Sequence, residues 1–599
     1  MKRQKTGKQF KLSHAKMFPS VFFDLEKPKK ESGDSKEKKK LRKRIMVILY
    51  KASVLLMAFF LLSILVFFTV SAVNSSDDSG YFTNGSPTSL FWISGLYFMM
   101  TFVFIYDLFT YVLFLRCFTV GFRFGNVRDI VNIESYFTVF VYRFVWFLFF
   151  TILAMINWIC YGLIIDSRDH LAGWLSCYGL VSIFSYLIIA YNQYNSFKND
   201  KNIDFDGETI FTKSKANILC FFFGVGIKFI SFLCFSVVGA VLILYTIQSI
   251  ALVQDITKVP GKKVPITIDH HTFNLHVYCE GDTKTGNVAL IDADIGIPSP
   301  YEYMKKLVTS LAQSGIRACV IERAGYGFSD TGPLPRNGNQ TISELVSFVY
   351  EFRMRIPFVY IAHSSASFTA RLLYAQYPEL VSGLVLLHPS HEDQEDVYLK
   401  QAKNLTTQEI QIRKDTRDYI DDVIRFVTPI ALPRLFKYFH FEFLLEYEDP
   451  YELYYMNGWK TYFDNITNGT INKKVIFQNK YTGCVWSELK HSQTDTADLV
   501  RNLRPTSNSV TVPVVILTAQ YLVDGDCSLN HFEEGTTMCS HFNAWKTNRG
   551  IAIKKLHGDL ASIYNGQWEM IPSSYDIPLD APEIVVKHVL NVLKVNGTR

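Results

Sequence analysis

The stretch Tyr360-Ile361-Ala362-His363-Ser364-Ser365-Ala366-Ser367-Phe368 decides how this chain is read. The apolar run Phe358 to Ile361 has the length of a buried strand, and Ser367 to Tyr377 has that of a helix. A strand that turns sharply at a serine into a helix is a nucleophile elbow, usually G-x-S-x-G, because the strained turn leaves no room for large neighbours. Here Ala362 and Ala366 stand at the two glycine positions, and a second serine, Ser365, follows Ser364. Alanine is the least disruptive replacement, so the turn is expected to survive with a looser fit.

Working outward, 599 residues exceed one ordinary domain. The 49% hydrophobic and 15% aromatic content is concentrated before residue 255. Residues 1–45 form a basic tail whose Ser/Glu/Lys-rich part cannot build a core and is expected to be disordered. About twenty apolar residues follow at once, so the basic cluster reads as the cytosolic flank of a membrane helix and not as a nucleic-acid site. The region 46–255 is predicted to hold about five transmembrane helices, with spans near 52–73, 89–115, 136–165, 171–191 and 229–252. Asp107, Arg143 and Lys228 fall in or near these spans. Such charges mark transport pathways in some proteins, but scattered near helix ends they are expected to snorkel or pair.

The positive-inside rule places the N-terminus, the Arg116/Arg123/Arg128 loop and the 192–215 loop in the cytosol. An odd number of spans then puts the C-terminal region outside the cell or in a lumen, in the plasma membrane or a secretory-pathway membrane. Glycosylation sequons agree with that topology. Asn74 and Asn84 fall in the first external loop, and Asn339, Asn404, Asn465, Asn468 and Asn596 fall in the C-terminal region. The first apolar segment is too long, and starts too late, for a cleavable signal peptide. Cys117, Cys160, Cys177, Cys220 and Cys234 lie in or beside the membrane region. Cys279, Cys319, Cys484, Cys527 and Cys539 lie where disulfides are allowed. Cys527 and Cys539 bracket a polar loop and are the preferred pair; Cys279 and Cys319, on core strands, are as readily read as packed thiols.

Residues 262–599 alternate strands and helices, as a doubly wound, mostly parallel α/β sheet requires. Asn274 to Cys279, Val288 to Asp292, Ala318 to Ile321, Val381 to Leu387 and Val512 to Leu517 read as further strands, and Tyr301 to Ser314 as a helix. A helix-rich, aromatic insertion at about 395–505 sits where a lid over the pocket is expected.

The segments Leu275 to Gly281, Glu322-Arg323-Ala324-Gly325-Tyr326-Gly327-Phe328-Ser329-Asp330, the elbow, Leu384 to Asp393 and Leu579 to Glu583 together resemble the α/β-hydrolase fold superfamily, specifically single-domain serine hydrolases of the proline-iminopeptidase and esterase type. The resemblance covers nearly the whole external region and none of the membrane part. It implies Ser364 as nucleophile, with oxyanion-hole amides from Ser365 and from Ile295 in the loop Ala293-Asp294-Ile295-Gly296, where the family has His-Gly-x-Gly. An Asp294 carboxylate turned into that hole would repel a developing oxyanion; turned away, it would leave the Ile295 amide usable.

The catalytic base is the larger departure. Aligning the ends of Trp568 to Glu583 puts Tyr575 at the histidine position, and a phenol of pKa about 10 is a poor general base near neutrality. The acid position falls on His388 or on Asp524, with Asp526 nearby. His388 or His391 approaching from another strand would make a rearranged site, since triads are defined by geometry. His557 reads as part of the helix before the last strand. Four departures at one site predict a pseudo-hydrolase that binds a lipid, a small acyl ligand or a partner protein beside the bilayer. The competing expectation is an active membrane-bound esterase, lipase or peptidase with a non-standard base. No cofactor or metal is expected: there is no Walker loop, no dinucleotide fingerprint and no zinc-spaced Cys/His cluster.

Overall fold

The computed structural model describes residues 33–76, 87–121, 128–164, 170–199, 215–255, 260–284, 286–439, 472–505, 509–527, 529, 537–544 and 546–597. The start of the basic tail, most of the 192–215 loop, Asn84, Asn465 and Asn468 lie outside them. Asn339 and Asn404 are exposed.

The N-terminal region is a bundle of long helices: α1 (Gly33–Ser76), α2 (Pro87–Gly121), α3 (Arg128–Ile159), α4 (His170–Asn199) and α5 (Lys215–Asp255). Each carries a stretch long and apolar enough to cross a membrane: Arg44–Val70, Leu90–Phe109, Val139–Gly162, Leu171–Asn195 and Phe229–Asp255. Leucines, phenylalanines and valines such as Leu55, Phe59, Phe102 and Val145 are exposed on the outside of the bundle, a surface compatible with membrane-crossing helices.

Two of the charges in this bundle, Asp107 and Arg143, pair, and the Lys228 side chain lies outside those described. Arg143 on α3 donates Nε to Asp107 Oδ2 at 2.7 Å, a second nitrogen to the Asp107 carbonyl at 3.0 Å and a third to Gln193 Oε1 at 2.8 Å. Tyr186 on α4 donates to the same carboxylate at 3.0 Å. Four helices thus meet at one buried ion pair, because an isolated charge buried among apolar side chains is too costly to leave unpaired. On the facing surfaces of α3 and α5, Asn157 bonds Thr246 and Ser249.

The C-terminal region is built on an eight-stranded sheet: β1 (Lys262–Ile268), β2 (His271–Glu280), β3 (Val288–Asp292), β4 (Arg317–Glu322), β5 (Phe358–His363), β6 (Val381–Leu387), β7 (Val514–Ala519) and β8 (Gln567–Ile571). The spatial order is β1-β2-β4-β3-β5-β6-β7-β8. β2 runs antiparallel to β1 and β4, and the rest pair in parallel. The central strands are buried on both faces, which is why their sequences are unbroken apolar runs. Ala289, Ile291, Val359, Ile361, Val385 and Leu387 point to one core; Val288, Leu290, Phe358, Tyr360, Leu384 and Leu386 point to the other.

Helices cover both faces: α6 (Pro300–Gln313), α7 (Gly338–Glu351) and α8 (Ala366–Gln376) early in the chain, and two long helices at its end. α6 begins where Ser299 caps Glu302 and Pro300 occupies the first turn. The insertion between β6 and β7 contains α9 (Thr407–Val427), α10 (Leu432–Tyr438) and α11 (Asn479–His491), so it is helical where described, as expected of a lid. The closing helices are α12 (Lys546–Ile563) and α13 (Pro582–Gly597).

Cys279 and Cys319 are directly opposite on antiparallel β2 and β4, with Cα atoms 4.1 Å apart, and they form a disulfide. The packed-thiol reading failed there because adjacency across the sheet is not visible in one strand's pattern. Cys527 and Cys539 form a second disulfide, and Cys484 is a buried free thiol. Peptide mapping of unreduced protein is expected to recover 279–319 and 527–539 bridges, with Cys484 alkylated only after denaturation. The Cys279→Ser/Cys319→Ser double variant should lose about 2–4 kcal/mol of stability, measured as a lower melting temperature, since the bridge closes a 40-residue separation.

Candidate active site

Ser364 sits where the elbow was expected, between β5 and α8, with φ 53. The left-handed backbone forms although alanines replace both glycines, since Ala362 and Ala366 are fully buried and still fit. The turn is held by Ser364 N–H donating to Leu387 O at 2.9 Å, and its carbonyl accepts from Ser367 and Ser390 amides at 3.0 and 3.1 Å. Ser364 is completely buried, and its Oγ has no hydrogen-bond partner among the described residues.

Asp294 turns inward. It follows β3 by two residues, is 6% exposed, and its Oδ1 accepts from the Ser365 amide at 3.0 Å and the Ile295 amide at 2.8 Å. The Ser365 hydroxyl adds a third hydrogen bond at 2.5 Å and itself accepts from Ile295 N–H at 2.9 Å. Two amides thus converge on one oxygen at 2.8–3.0 Å, the donor arrangement that the resemblance implies for an oxyanion hole. The oxygen they hold is the protein's own carboxylate.

Tyr575 is the partner of that carboxylate. The loop after β8 is fixed by Ser574, whose amide and hydroxyl bond Asp580 at 2.9 and 2.5 Å, and by Tyr303 donating to Asp576 at 2.7 Å. This directs the buried Tyr575 hydroxyl onto Asp294 Oδ2. His363 donates Nε2 to the Tyr575 carbonyl at 3.1 Å, which leaves Nδ1 unprotonated; that atom is buried without a partner among the described residues. Burial pushes the His363 pKa below its ordinary value, against the opposing pull of Asp294.

None of the remaining candidates makes a hydrogen bond to Ser364 Oγ among the described residues. His388, with φ 44, is buried and accepts the Ala519 amide on Nδ1 at 3.3 Å; its ring lies 4.8 Å from His557 and 5.8 Å from Tyr575. Burial first, and then neighbouring His557 and His363, hold its pKa well below normal, so it is neutral. Asp524 is turned outward with half its side chain exposed and is 3.7 Å from Lys554. Asp526 is exposed. The acid reading of Asp524 is therefore not met: the short helix Gln520–Val523 after β7 carries it past the site.

His557 lies in α12 as predicted. Its Nε2 donates to Pro389 O at 3.0 Å, Nδ1 accepts from Thr518 Oγ1 at 2.7 Å, and Thr518 accepts from Trp568 Nε1 at 2.8 Å. That relay suits only a neutral ring, and burial lowers the pKa to about 3. His391 bonds Asp559 at 3.1 Å and accepts the Asp393 amide at 2.9 Å, so it faces away from the serine into its own ion cluster.

The lid is locked over this region by groups that a pattern of one segment does not reveal. Glu488 on α11 accepts Arg336 Nε at 2.9 Å and the Tyr326 hydroxyl at 2.8 Å, and Arg336 forks onto Glu344 at 2.8 and 2.9 Å. Lys480 donates to the Gly327 and Ser329 carbonyls at 2.8 and 2.7 Å, and Tyr481 donates to Gly296 O in the oxyanion loop. Gly327, with φ 48, admits no side chain: a Cβ would lie 2.1 Å from the buried Glu322 carboxyl.

The family described as alpha/beta hydrolase fold matches residues 294–489, from Asp294 through α11. The fold of the C-terminal region is that of the α/β hydrolases. Solved structures similar to the chain include an esterase from Thermogutta terrifontis (16% identity, TM-score 0.35, covering 56% of this chain and 99% of that one). An enol-lactonase from Burkholderia xenovorans LB400 is 13% identical with TM-score 0.31, over 54% and 97% of the two chains. A bromoperoxidase from Bacillus anthracis is 14% identical with TM-score 0.35, over 56% and 100%. No curated protein sequence matches the chain.

Two outcomes test this geometry. Asp294→Ala leaves two amides and two hydroxyls facing an empty position, and should cost about 3 kcal/mol, seen as a lower melting temperature; Tyr575→Phe, which removes one donor, should cost about 1 kcal/mol. For the histidines, the folded pKa lies below the unfolded value near 6.5, so the unfolded chain binds more protons between the two. Their stabilisation is full above pH ~6.5 and falls as the pH drops toward about 3 for His557. The melting temperature at pH 5 should be lower than at pH 7.5, with the gap narrowed in His557→Gln.

Proposed function

We propose that this protein is a membrane-anchored α/β-hydrolase-fold protein that binds a ligand or partner and does not turn over acyl substrates. The observation that carries this reading is Asp294 Oδ1 resting on both the Ile295 and Ser365 amides. A carboxylate in that position takes the place a tetrahedral intermediate's oxygen would occupy, so the largest electrostatic contribution to acyl transfer is used up in the resting fold. Tyr575 holds the carboxylate there, and a phenol at the base position supplies no proton acceptor for Ser364 at neutral pH. An active hydrolase with a non-standard base would need a base at Ser364 Oγ and a vacant hole.

The reading extends to the whole chain. The apolar helices anchor it, with the basic N-terminus in the cytosol and the C-terminal region outside the cell or in a secretory lumen; the two disulfides support an oxidising side for that region. A lipid, a small acyl compound or a partner protein recognised through the lid is the occupant that suits a domain beside a bilayer.

Fluorophosphonate labelling of the full chain in detergent, beside Ser364→Ala, tests the central point. The expected result is no labelling of the folded protein in either form. Labelling of the wild type that disappears in Ser364→Ala would mean an activated serine and would sink the proposal.

A further inference from the structure

The lid does not simply rest above the helix bundle. Gln248 lies seven residues before Asp255, the last residue of the α5 apolar stretch, and is fully buried. At 1.5 Å per residue that is about 10 Å below the end of the stretch. Two lid groups reach it there: Arg434 Nε donates to Gln248 Oε1 at 2.8 Å, and Gln248 Nε2 donates to Phe477 O at 2.7 Å. Arg434 also pairs with Asp255 and packs over the Phe477 ring, 5.0 Å from its centroid.

On α2, Trp92, two residues into its apolar stretch, donates to Phe426 O at 2.6 Å and packs on that ring at 5.0 Å. Between these anchors the 3-10 turn Thr428–Ile430 and the left-handed Ala431 (φ 58) put Ile430 into the bundle core, with Val427 and Leu432 packed against it. The elbow from Val427 to Leu432 therefore lies at the depth of the apolar helices.

α10 leaves this elbow and ends in an exposed aromatic pair. Tyr438 is 76% exposed and Phe439 56% exposed, their rings packed edge-on at 5.1 Å. Tyr438 is four residues beyond Arg434, so it shares the helix face whose Arg434 holds α5. α5 presents exposed Ile247 and Ile250 near the same end. An exposed aromatic pair one helical turn beyond the Arg434–Asp255 contact, one ring carrying a hydroxyl, has the chemistry of the bilayer interface, where amphipathic rings sit at headgroup depth.

We propose that α10 lies in the headgroup–acyl boundary of the bilayer on the side of the C-terminal region, with Tyr438 and Phe439 as its lipid contacts, so that the membrane itself holds the lid. This rests on the five helices being membrane spans and not on the state of Ser364. The test is Tyr438→Trp in the full chain, reconstituted in phosphatidylcholine nanodiscs whose acyl chains carry bromines either near the glycerol or near the chain ends. Tyr350→Trp, at a 57% exposed site on α7, is the water-facing control.

The fluorescence that Tyr438→Trp adds is expected to fall at least two-fold with shallow bromines and less with deep ones, while that added by Tyr350→Trp is unchanged. An indole at position 438 unquenched at both depths, with the native bundle tryptophans Trp146 and Trp174 quenched, overturns the lid placement alone. Native tryptophans that also escape quenching overturn the membrane reading, and the proposal with it.

Discussion

The Asp294 carboxylate is the contact on which the site depends. A nucleophile elbow necessarily points backbone amides at one spot, because the turn from β5 into α8 leaves the first helical N–H groups without intrahelical partners. In an enzyme water and then substrate satisfy them. Here the demand is met from within, by one oxygen that accepts two amides and a hydroxyl while the other oxygen takes the Tyr575 phenol. Asp294 and Tyr575, far apart in the chain, thus form one buried pair. Either alone would bury an unpaired polar group.

The same economy governs the lid and the bundle. Arg336, Glu344 and Glu488 form a buried ionic array between α7, α11 and the loop after β4, and breaking any one would strand the others in a medium that solvates charge poorly. Asp107 and Arg143 do the same among the apolar helices. Between the two regions Arg434 joins Asp255 and Gln248, so lid, sheet and helices are connected by polar contacts at buried points.

Much of the fold was legible in the residues. β3 and β6 were read at their observed limits, and the strand-turn-helix at Ser364, the helical insertion between β6 and β7 and all five apolar helices were found, because burial on both sheet faces, or helices long and apolar throughout, show as unbroken apolar runs. His388 and His557 are buried and hydrogen-bonded within the fold, His388 to the Ala519 amide and His557 to the Pro389 carbonyl. Reading Asp524 as an acid did not match, since its distance along the chain from β7 said nothing about the short helix that turns it to solvent. The Cys279–Cys319 bridge required knowing that β2 and β4 are neighbours in register.

The amino-acid sequence by itself determined the five long apolar helices of the first half, the main strands of the second and the turn at Ser364, since each of these is local in the chain or periodic along it. Only the tertiary structure decided what surrounds that turn. Asp294 and Tyr575 are far apart in sequence, and whether a carboxylate faces solvent or fills an oxyanion hole depends on side-chain direction at a junction of three strands. That direction is set by packing and hydrogen-bond satisfaction across the sheet, which no single segment encodes.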